Sequence, residues 1–177
     1  MPHLLALYRD ICQLRRGPQD LPYSPPLLTA VCVATLLLQL AIAELFGVAG
    51  DTLLAGIIGL AFNLGVLHLV LTLRGLGNRF VQTALAWFGC AMFFTLLLLP
   101  VMLLTGVPPV SPEQVTPGQG LVALLALPIL GWWLVVDAHI LRQGLNLTFL
   151  GGLAVALIWI FAELLLGALM RAPAAGA

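Results

Sequence analysis

Charged residues are scarce in this sequence. Only 8% of its 177 residues are Asp, Glu, Lys or Arg, and lysine does not occur at all. Soluble domains carry about 25% charged residues, so the low charge excludes a soluble enzyme and a disordered chain. The formal net charge is +0 and no run of basic residues is present. A partner as anionic as a nucleic acid is therefore excluded as well.

Cysteines and catalytic motifs are also few. The three cysteines, at positions 12, 32 and 90, form no Cys-x-x-Cys pair and are expected to lie in separate environments. This spacing predicts neither a zinc site nor a disulfide framework. The His-Glu-x-x-His, Gly-x-Ser-x-Gly and phosphate-loop motifs do not occur. We therefore expect no enzymatic activity, no cofactor and no metal site.

Apolar residues, in contrast, are abundant. They make up 62% of the chain, and the mean hydropathy is +1.12. A helix that crosses the hydrocarbon core of a bilayer needs about 20 mostly apolar residues. Five runs have that length, so the sequence predicts an all-α polytopic membrane protein with five transmembrane helices and the lipid bilayer as its solvent. The predicted spans are 27–46, 52–73, 80–104, 121–141 and 145–170.

The first 16 residues predict a separate amphipathic helix. Apolar side chains recur at three- and four-residue spacing, and the polar side chains take the opposite face. Gly17 and Pro18 are expected to end this helix. It either lies on the membrane surface near anionic headgroups or packs under the bundle as a fold element. Residues 1–26 then form this helix and a proline-rich linker, residues 27–170 form the membrane domain, and residues 171–177 form a short tail.

The arginines predict the orientation of the chain. All seven basic residues are arginine, and six of them precede the first span or lie in the second and fourth connections. Basic residues accumulate in cytoplasmic segments, so we expect the inner membrane, a cytoplasmic N-terminus and an external C-terminus. The six are expected at the membrane surface: Arg9, Arg15, Arg16, Arg74, Arg79 and Arg142.

Two glutamates lie late in predicted spans that run in the same direction. Glu44 and Glu163 both lie about 26 Å along their helices, in the outer third of the membrane. An ionisable group in a span costs about 2.5–3.5 kcal/mol at the helix centre, so each such group requires a partner or a hydrated cavity. One hypothesis is an outward-facing cavity that holds a cation or a shared proton. The alternative is that each glutamate separately reaches the outer membrane interface or bonds a neighbouring backbone carbonyl.

A second group of polar residues is expected near the cytoplasmic side. His68 lies six positions before Arg74 and Asp137 five before Arg142, so the two have similar depth. A His–Asp pair would relay protons or would act only as a polar clamp between helices. His139 is expected to be hydrated at the membrane boundary, and Asn63 to bond across helices.

Small residues at four-residue spacing predict close helix packing. In the fifth span, Gly152 and Ala156 would allow a neighbouring helix to approach closely. Such patterns are common in tight bundles, and they indicate packing rather than a particular partner.

Two stretches resemble the Yip1-like membrane proteins. The first runs from Asn-Arg-Phe-Val-Gln at 78–82 to Leu-Pro at 99–100. The second runs from Trp-Trp-Leu at 132–134 through Asp-Ala-His-Ile-Leu at 137–141 into the fifth span. The resemblance covers about the last 100 residues at the level of hydropathy. It implies a five-span fold with a cytoplasmic N-terminal segment and brings no catalytic motif.

These observations favour a non-enzymatic role. The preferred prediction is a scaffold or accessory subunit that contacts other proteins in a membrane complex. The alternative is a small transporter or channel component, in which Glu44 and Glu163 bind a cation or proton while His68 and Asp137 form an inner polar gate.

Overall fold

The structure, a computed structural model, describes residues 2–48, 50–105 and 116–171, and this part of the chain is helical without any strand. It confirms the all-α class, with five helices long and apolar enough to cross a membrane and a short helix at the N-terminus. Apart from Arg171, the predicted tail lies outside the described residues. The helices are α1 (Pro2–Cys12), α2 (Pro25–Leu45), α3 (Thr52–Leu73), α4 (Phe80–Thr105), α5 (Pro117–Gly144) and α6 (Phe149–Arg171).

The helices begin at residues that satisfy free backbone N–H groups. The Asp51 carboxylate accepts a hydrogen bond from Leu54 N at 2.9 Å at the start of α3. Thr116 and Gln119 form a capping box at the start of α5. Pro117 follows directly at the first helical position, so α5 begins four residues earlier than the predicted span.

The boundary between α5 and α6 differs from the prediction. The sequence predicts that the last span begins at Leu145, but α6 begins at Phe149. Asn146 adopts a left-handed conformation with a φ of 56°, which interrupts the helix. Asparagine tolerates this conformation better than most residues, so the apolar run from Leu145 onward hides a turn.

The paired helices α4 and α5 form the centre of the bundle. α4 packs against α1, α2, α3 and α5, while α6 packs chiefly on α5. Ala84, Leu85 and Phe94 of α4 are fully buried in the shared core. Gly152 of α6 lies so close to the Ala138 carbonyl of α5 that a Cβ there would collide with it. This contact confirms the close packing predicted for the small residues of the last span.

Helix α1 packs on the central pair. Leu7 and Ile11 are buried, and Tyr8 Oη donates a hydrogen bond to the Leu85 carbonyl at 3.3 Å. The Tyr8 ring occupies the space that a side chain at position 89 would need, so Gly89 allows the close approach. Of the two roles predicted for this helix, the structure shows the packed one, with Arg9 on the exposed face.

One end of the bundle carries α1, the linker after it, the α3–α4 turn and the α5–α6 turn; we call it the arginine end. Arg74 Nη2 donates to the Leu145 carbonyl and Arg79 Nη1 to the Gln143 carbonyl, each at 3.2 Å. These carbonyls lie at the C-terminus of α5, where positive charge is favourable. Arg142 lies above the Phe149 ring, with its Cζ 5.9 Å from the ring centre. The arginines therefore join the turns to each other.

His139 lies inside this end of the bundle and not in water. It is 3% exposed, and its Nε2 lies 2.9 Å from the Arg16 carbonyl oxygen and 2.9 Å from Gln143 Nε2. The expectation of a hydrated histidine is therefore wrong. The chain that follows α1 folds over the end of α5 and covers the ring, a contact that the distance to the span boundary does not reveal.

Candidate functional site

A polar cavity lies in the interior of the bundle, between α2, α3, α4, α5 and α6. Its volume is about 240 Å³. We call it the carboxylate cavity, because Asp137 of α5 and Glu163 of α6 both line it. Its other polar and aromatic lining residues are Thr35, Gln39, Asn63, Trp87, Phe88, Thr95, Trp133 and Trp159.

Asp137 is the most deeply placed carboxylate in the cavity. Its residue surface is 8% exposed, and its Oδ1 atom has no hydrogen-bond partner among the described residues. Trp133 lies one helical turn earlier, and its Nε1 is also buried without a partner. An ionised carboxylate in such a position is costly unless a partner compensates it. Asp137 is therefore a candidate site for a proton or a cation.

Glu163 belongs to a polar network on the other side of the same cavity. Its carboxylate interacts with the Asn63 side chain. Asn63 Oδ1 accepts a hydrogen bond from Trp159 Nε1 at 2.6 Å, and its Nδ2 donates to the Gly59 carbonyl at 3.0 Å. The cross-helix bond predicted for Asn63 is thus confirmed. The Trp159 ring also packs edge-on against Trp87 at 4.3 Å, so Glu163 has polar neighbours where Asp137 Oδ1 has none.

A second and wider cavity connects this site with the opposite end of the bundle. Its volume is about 600 Å³, and it extends to the α2–α3 turn, where Gly50 and Asp51 line it. We call that side the turn end. The two cavities share Asn63 and Glu163, together with Thr35, Gln39 and Phe88. The two cavities therefore adjoin at Glu163, with the wider, mostly apolar cavity toward the turn end and Asp137 in the smaller one.

The bundle is tightly packed between Asp137 and the arginine end. Val136 and Ile140, its neighbours on α5, are fully buried, and so are Ile11 of α1 and Leu85 of α4. Asp137 also lies near enough to Glu163 and to Cys12, the last residue of α1, for its carboxylate to feel their charges. Asp137 therefore lies deeper than Glu163, and these packed residues, including Ile11 of α1, form a seal between it and the arginine end.

The structure pairs the predicted polar residues differently from the sequence. Asp137 and Glu163 line one cavity, with Asp137 buried and Glu163 exposed at its edge, whereas Glu44, also exposed, lines neither cavity. His68 packs edge-on against the Phe80 ring at 5.0 Å and does not line the carboxylate cavity. The proposed pairs, Glu44 with Glu163 and His68 with Asp137, are therefore not brought together there. Equal depth along two helices does not place two side chains on facing surfaces.

The tryptophans of the site were not singled out from the sequence, although a local signal exists. Trp133 precedes Asp137 by four residues, and Trp159 precedes Glu163 by four. Residues four apart lie on the same face of a helix. Each carboxylate thus lies one turn beyond an indole that lines the same cavity.

The cavity contains groups that can bind a proton. Among the described residues no group of three or more His, Cys, Asp and Glu side chains is placed to hold a metal ion. The cavity provides two carboxylates, neutral amides and indole N–H donors. These groups can bind, share and pass a proton.

Comparison with protein-family models, with curated proteins and with solved structures finds no match to this chain. The Yip1-like resemblance therefore stays a prediction.

Proposed function

We propose that this integral membrane protein is a small transport protein that moves protons through the carboxylate cavity. Glu163 is the proton acceptor closer to the turn end, and Asp137 is the inner acceptor. The observation that carries the proposal is the Asp137 carboxylate, which is buried, faces the cavity and has an unpartnered Oδ1 atom. A purely structural aspartate would be expected to have its oxygens satisfied by neighbouring donors.

The chemistry of the lining supports a proton over a metal cation. A hard cation such as Ca²⁺ takes about six to eight oxygen ligands. Asn63 Oδ1 already accepts a hydrogen bond from Trp159 Nε1, and Trp133, which also lines the cavity, has a buried indole N–H with no acceptor among the described residues. Such donors stabilise a carboxylate and repel a cation. A proton requires only one carboxylate oxygen at a time.

The two adjoining cavities suggest how a proton moves. It enters at the turn end near Asp51, passes through the wide cavity and reaches Glu163. Water in the carboxylate cavity carries it to Asp137. Release toward the arginine end requires the seal below Asp137 to open, and helix α1 is the element that packs there without spanning the membrane.

Proton flux into liposomes tests this function. The purified protein is reconstituted with a pH-sensitive dye inside the vesicles, and a K⁺ diffusion potential supplies the driving force. Asp137→Asn and Glu163→Gln keep the shape of each side chain but remove its charge, and each is expected to lower the flux at least about tenfold. Glu44→Gln is the matched control, because Glu44 lies outside both cavities. Equal flux in all four proteins would refute the proposal.

The orientation is part of the same proposal. Six arginines precede the first span or lie in the second and fourth connections, and such segments are cytoplasmic in most membrane proteins. We therefore place the arginine end in the cytoplasm of the cell and the turn end outside the inner membrane. Reporter fusions at each terminus test this: a fluorescent reporter should be active at the N-terminus, and a secreted phosphatase at the C-terminus.

The role as a scaffold or accessory subunit stays a prediction beside this proposal. It requires a stable partner in the membrane. Mild solubilisation with crosslinking tests it, since a protein that runs alone would contradict a scaffold role and would leave proton transport intact.

A further inference from the structure

Two thiols from distant parts of the chain meet inside the bundle. Cys12 Sγ lies 3.5 Å from Cys90 Sγ. Cys12 is the last residue of α1 and is 2% exposed, while Cys90 lies in α4 and is fully buried. The expectation that the three cysteines lie in separate environments is wrong for this pair, because α1 docks on α4. Cys32, in α2, does not take part in the contact.

The contact is held in place from several sides. Trp132 Nε1 of α5 donates a hydrogen bond to the Cys12 carbonyl at 2.8 Å. Tyr8, one turn earlier, donates to the Leu85 carbonyl of α4 at 3.3 Å. Ile11 is fully buried beside them. These contacts fix the end of α1 and keep the two sulfur atoms adjacent.

We propose that Cys12 and Cys90 form a redox site, at which a peroxide converts the thiol pair into a disulfide that ties α1 to α4. Disulfides in the cytosol are mostly transient and sense the redox state. A pair placed where the end of α1 docks on α4 suits that role, because a disulfide there would tie the two helices together. Small uncharged peroxides cross lipid, so burial does not prevent the reaction.

The reaction balances with hydrogen peroxide as the oxidant. The Cys12 thiolate attacks one oxygen of the peroxide, the O–O bond breaks, and the products are a sulfenic acid and water. The Cys90 thiol then attacks that sulfur, the S–S bond forms, and a second water leaves. Two thiols lose two electrons and two protons, and one peroxide becomes two water molecules. A hydrogen bond with Cys90 lowers the pKa of the Cys12 thiol, which favours Cys12 as the attacking group.

The geometry allows the bond with a small movement. A disulfide brings the sulfur atoms to about 2.05 Å, so the present 3.5 Å separation must shorten. Cys12 ends its helix and is followed by the turn of residues 13–16. Rotation of its side chain, with a slight shift of this helix end, is sufficient.

Counting thiols after oxidation tests the proposal. The full-length protein in lipid nanodiscs is treated with hydrogen peroxide, denatured, and labelled with a maleimide that adds a fixed mass. The number of labelled cysteines is expected to fall from three to one, with Cys32 still labelled, and to return to three after reduction. In Cys32→Ser, the number of labelled cysteines should fall from two to none. Cys12→Ser should keep both remaining thiols, whereas Cys90→Ser should lose at most one, as a sulfenic acid at Cys12, and should form no disulfide within the chain.

Three outcomes would overturn the proposal. The first is three labelled thiols in the oxidised wild-type protein. The second is a loss of thiols in Cys12→Ala or Cys12→Ser at the wild-type rate. The third is a product that reduction does not reverse, since a sulfinic acid persists where a disulfide does not. The Cys32→Ser protein shows that removal of a buried thiol is not itself the cause of a change.

A consequence for transport rests on the proposed function. Because α1 seals the inner side of Asp137, the disulfide should close the release route and lower the proton flux of the wild-type protein, and reduction should restore it. Cys12→Ser should carry the same flux before and after peroxide treatment. If the protein carries no proton flux at all, the proposed transport function is refuted, but the count of labelled thiols still tests the redox site. If the disulfide forms but the proton flux does not change, only the role of α1 as a seal is refuted.

Discussion

Replacement of Asp137 by leucine distinguishes a functional carboxylate from a structural one. Asp137 is 8% exposed, and its Oδ1 atom is buried without a hydrogen bond. Leaving a buried polar group unsatisfied destabilises a protein by about 1–3 kcal/mol, and more when the group is charged. Leucine removes this penalty, and the adjoining cavity of about 240 Å³ accommodates its extra volume. We therefore expect Asp137→Leu to raise the free energy of unfolding by about 1–3 kcal/mol while it abolishes proton flux.

The measurement compares variants in mixed micelles, in which increasing SDS unfolds the protein reversibly and tryptophan fluorescence reports the folded fraction. Asn63→Leu is the matched contrast. Asn63 bonds both Trp159 Nε1 and the Gly59 carbonyl, so its loss strands the indole donor and should lower the free energy of unfolding by about 1–3 kcal/mol. If Asp137→Leu were destabilising by a similar amount, Asp137 would be a satisfied structural clamp and the reasoning above would be refuted.

Three further predictions follow from the way α1 and the turns are held. Burial of Tyr8 and its proximity to Cys90 raise the pKa of the phenol from 10.0 to about 12. In Tyr23→Phe, Tyr8 is the only tyrosine, so absorbance of its phenolate should appear near pH 12. The stability that the raised pKa of Tyr8 contributes is complete below pH 10 and is lost as the pH rises through 12. Gly89→Val places a side chain where the Tyr8 ring lies, so it should release α1 to protease and lower the free energy of unfolding by about 1–3 kcal/mol. Arg74→Gln loses the hydrogen bond to the Leu145 carbonyl and should lower the free energy of unfolding by about 0.5–1.5 kcal/mol.

Each of these three has its own control. A phenolate that appears two pH units lower would mean that α1 does not pack on the bundle in solution. Gly131→Ala has open space around the added methyl group, so it should neither lower the free energy of unfolding nor increase proteolysis. A similar loss of stability at both glycines would contradict the close contact at Gly89. Arg9 pairs with the adjacent Asp10 on the surface, so Arg9→Gln should change the free energy of unfolding by less than about 0.5 kcal/mol.

Much of the site was visible in the sequence as individual residues. Asp137 and Glu163 were singled out because charge is rare within apolar spans, and Asn63 because an amide in lipid needs a partner. Their pairing was not predictable. His68 and Asp137 have similar depth, yet His68 packs on Phe80 and Asp137 faces the carboxylate cavity.

The sequence by itself determined that the chain is a bundle of five membrane-length helices with an amphipathic helix before them and its arginines concentrated at one end. The length and composition of a segment decide whether it can cross lipid, and both are local properties. Only the tertiary structure decided which polar side chains share a cavity, that His139 is covered, and that Cys12 meets Cys90. Those contacts depend on the rotation of each helix about its axis and on its neighbours, and the close fit of residues such as Gly89 and Gly152 sets both.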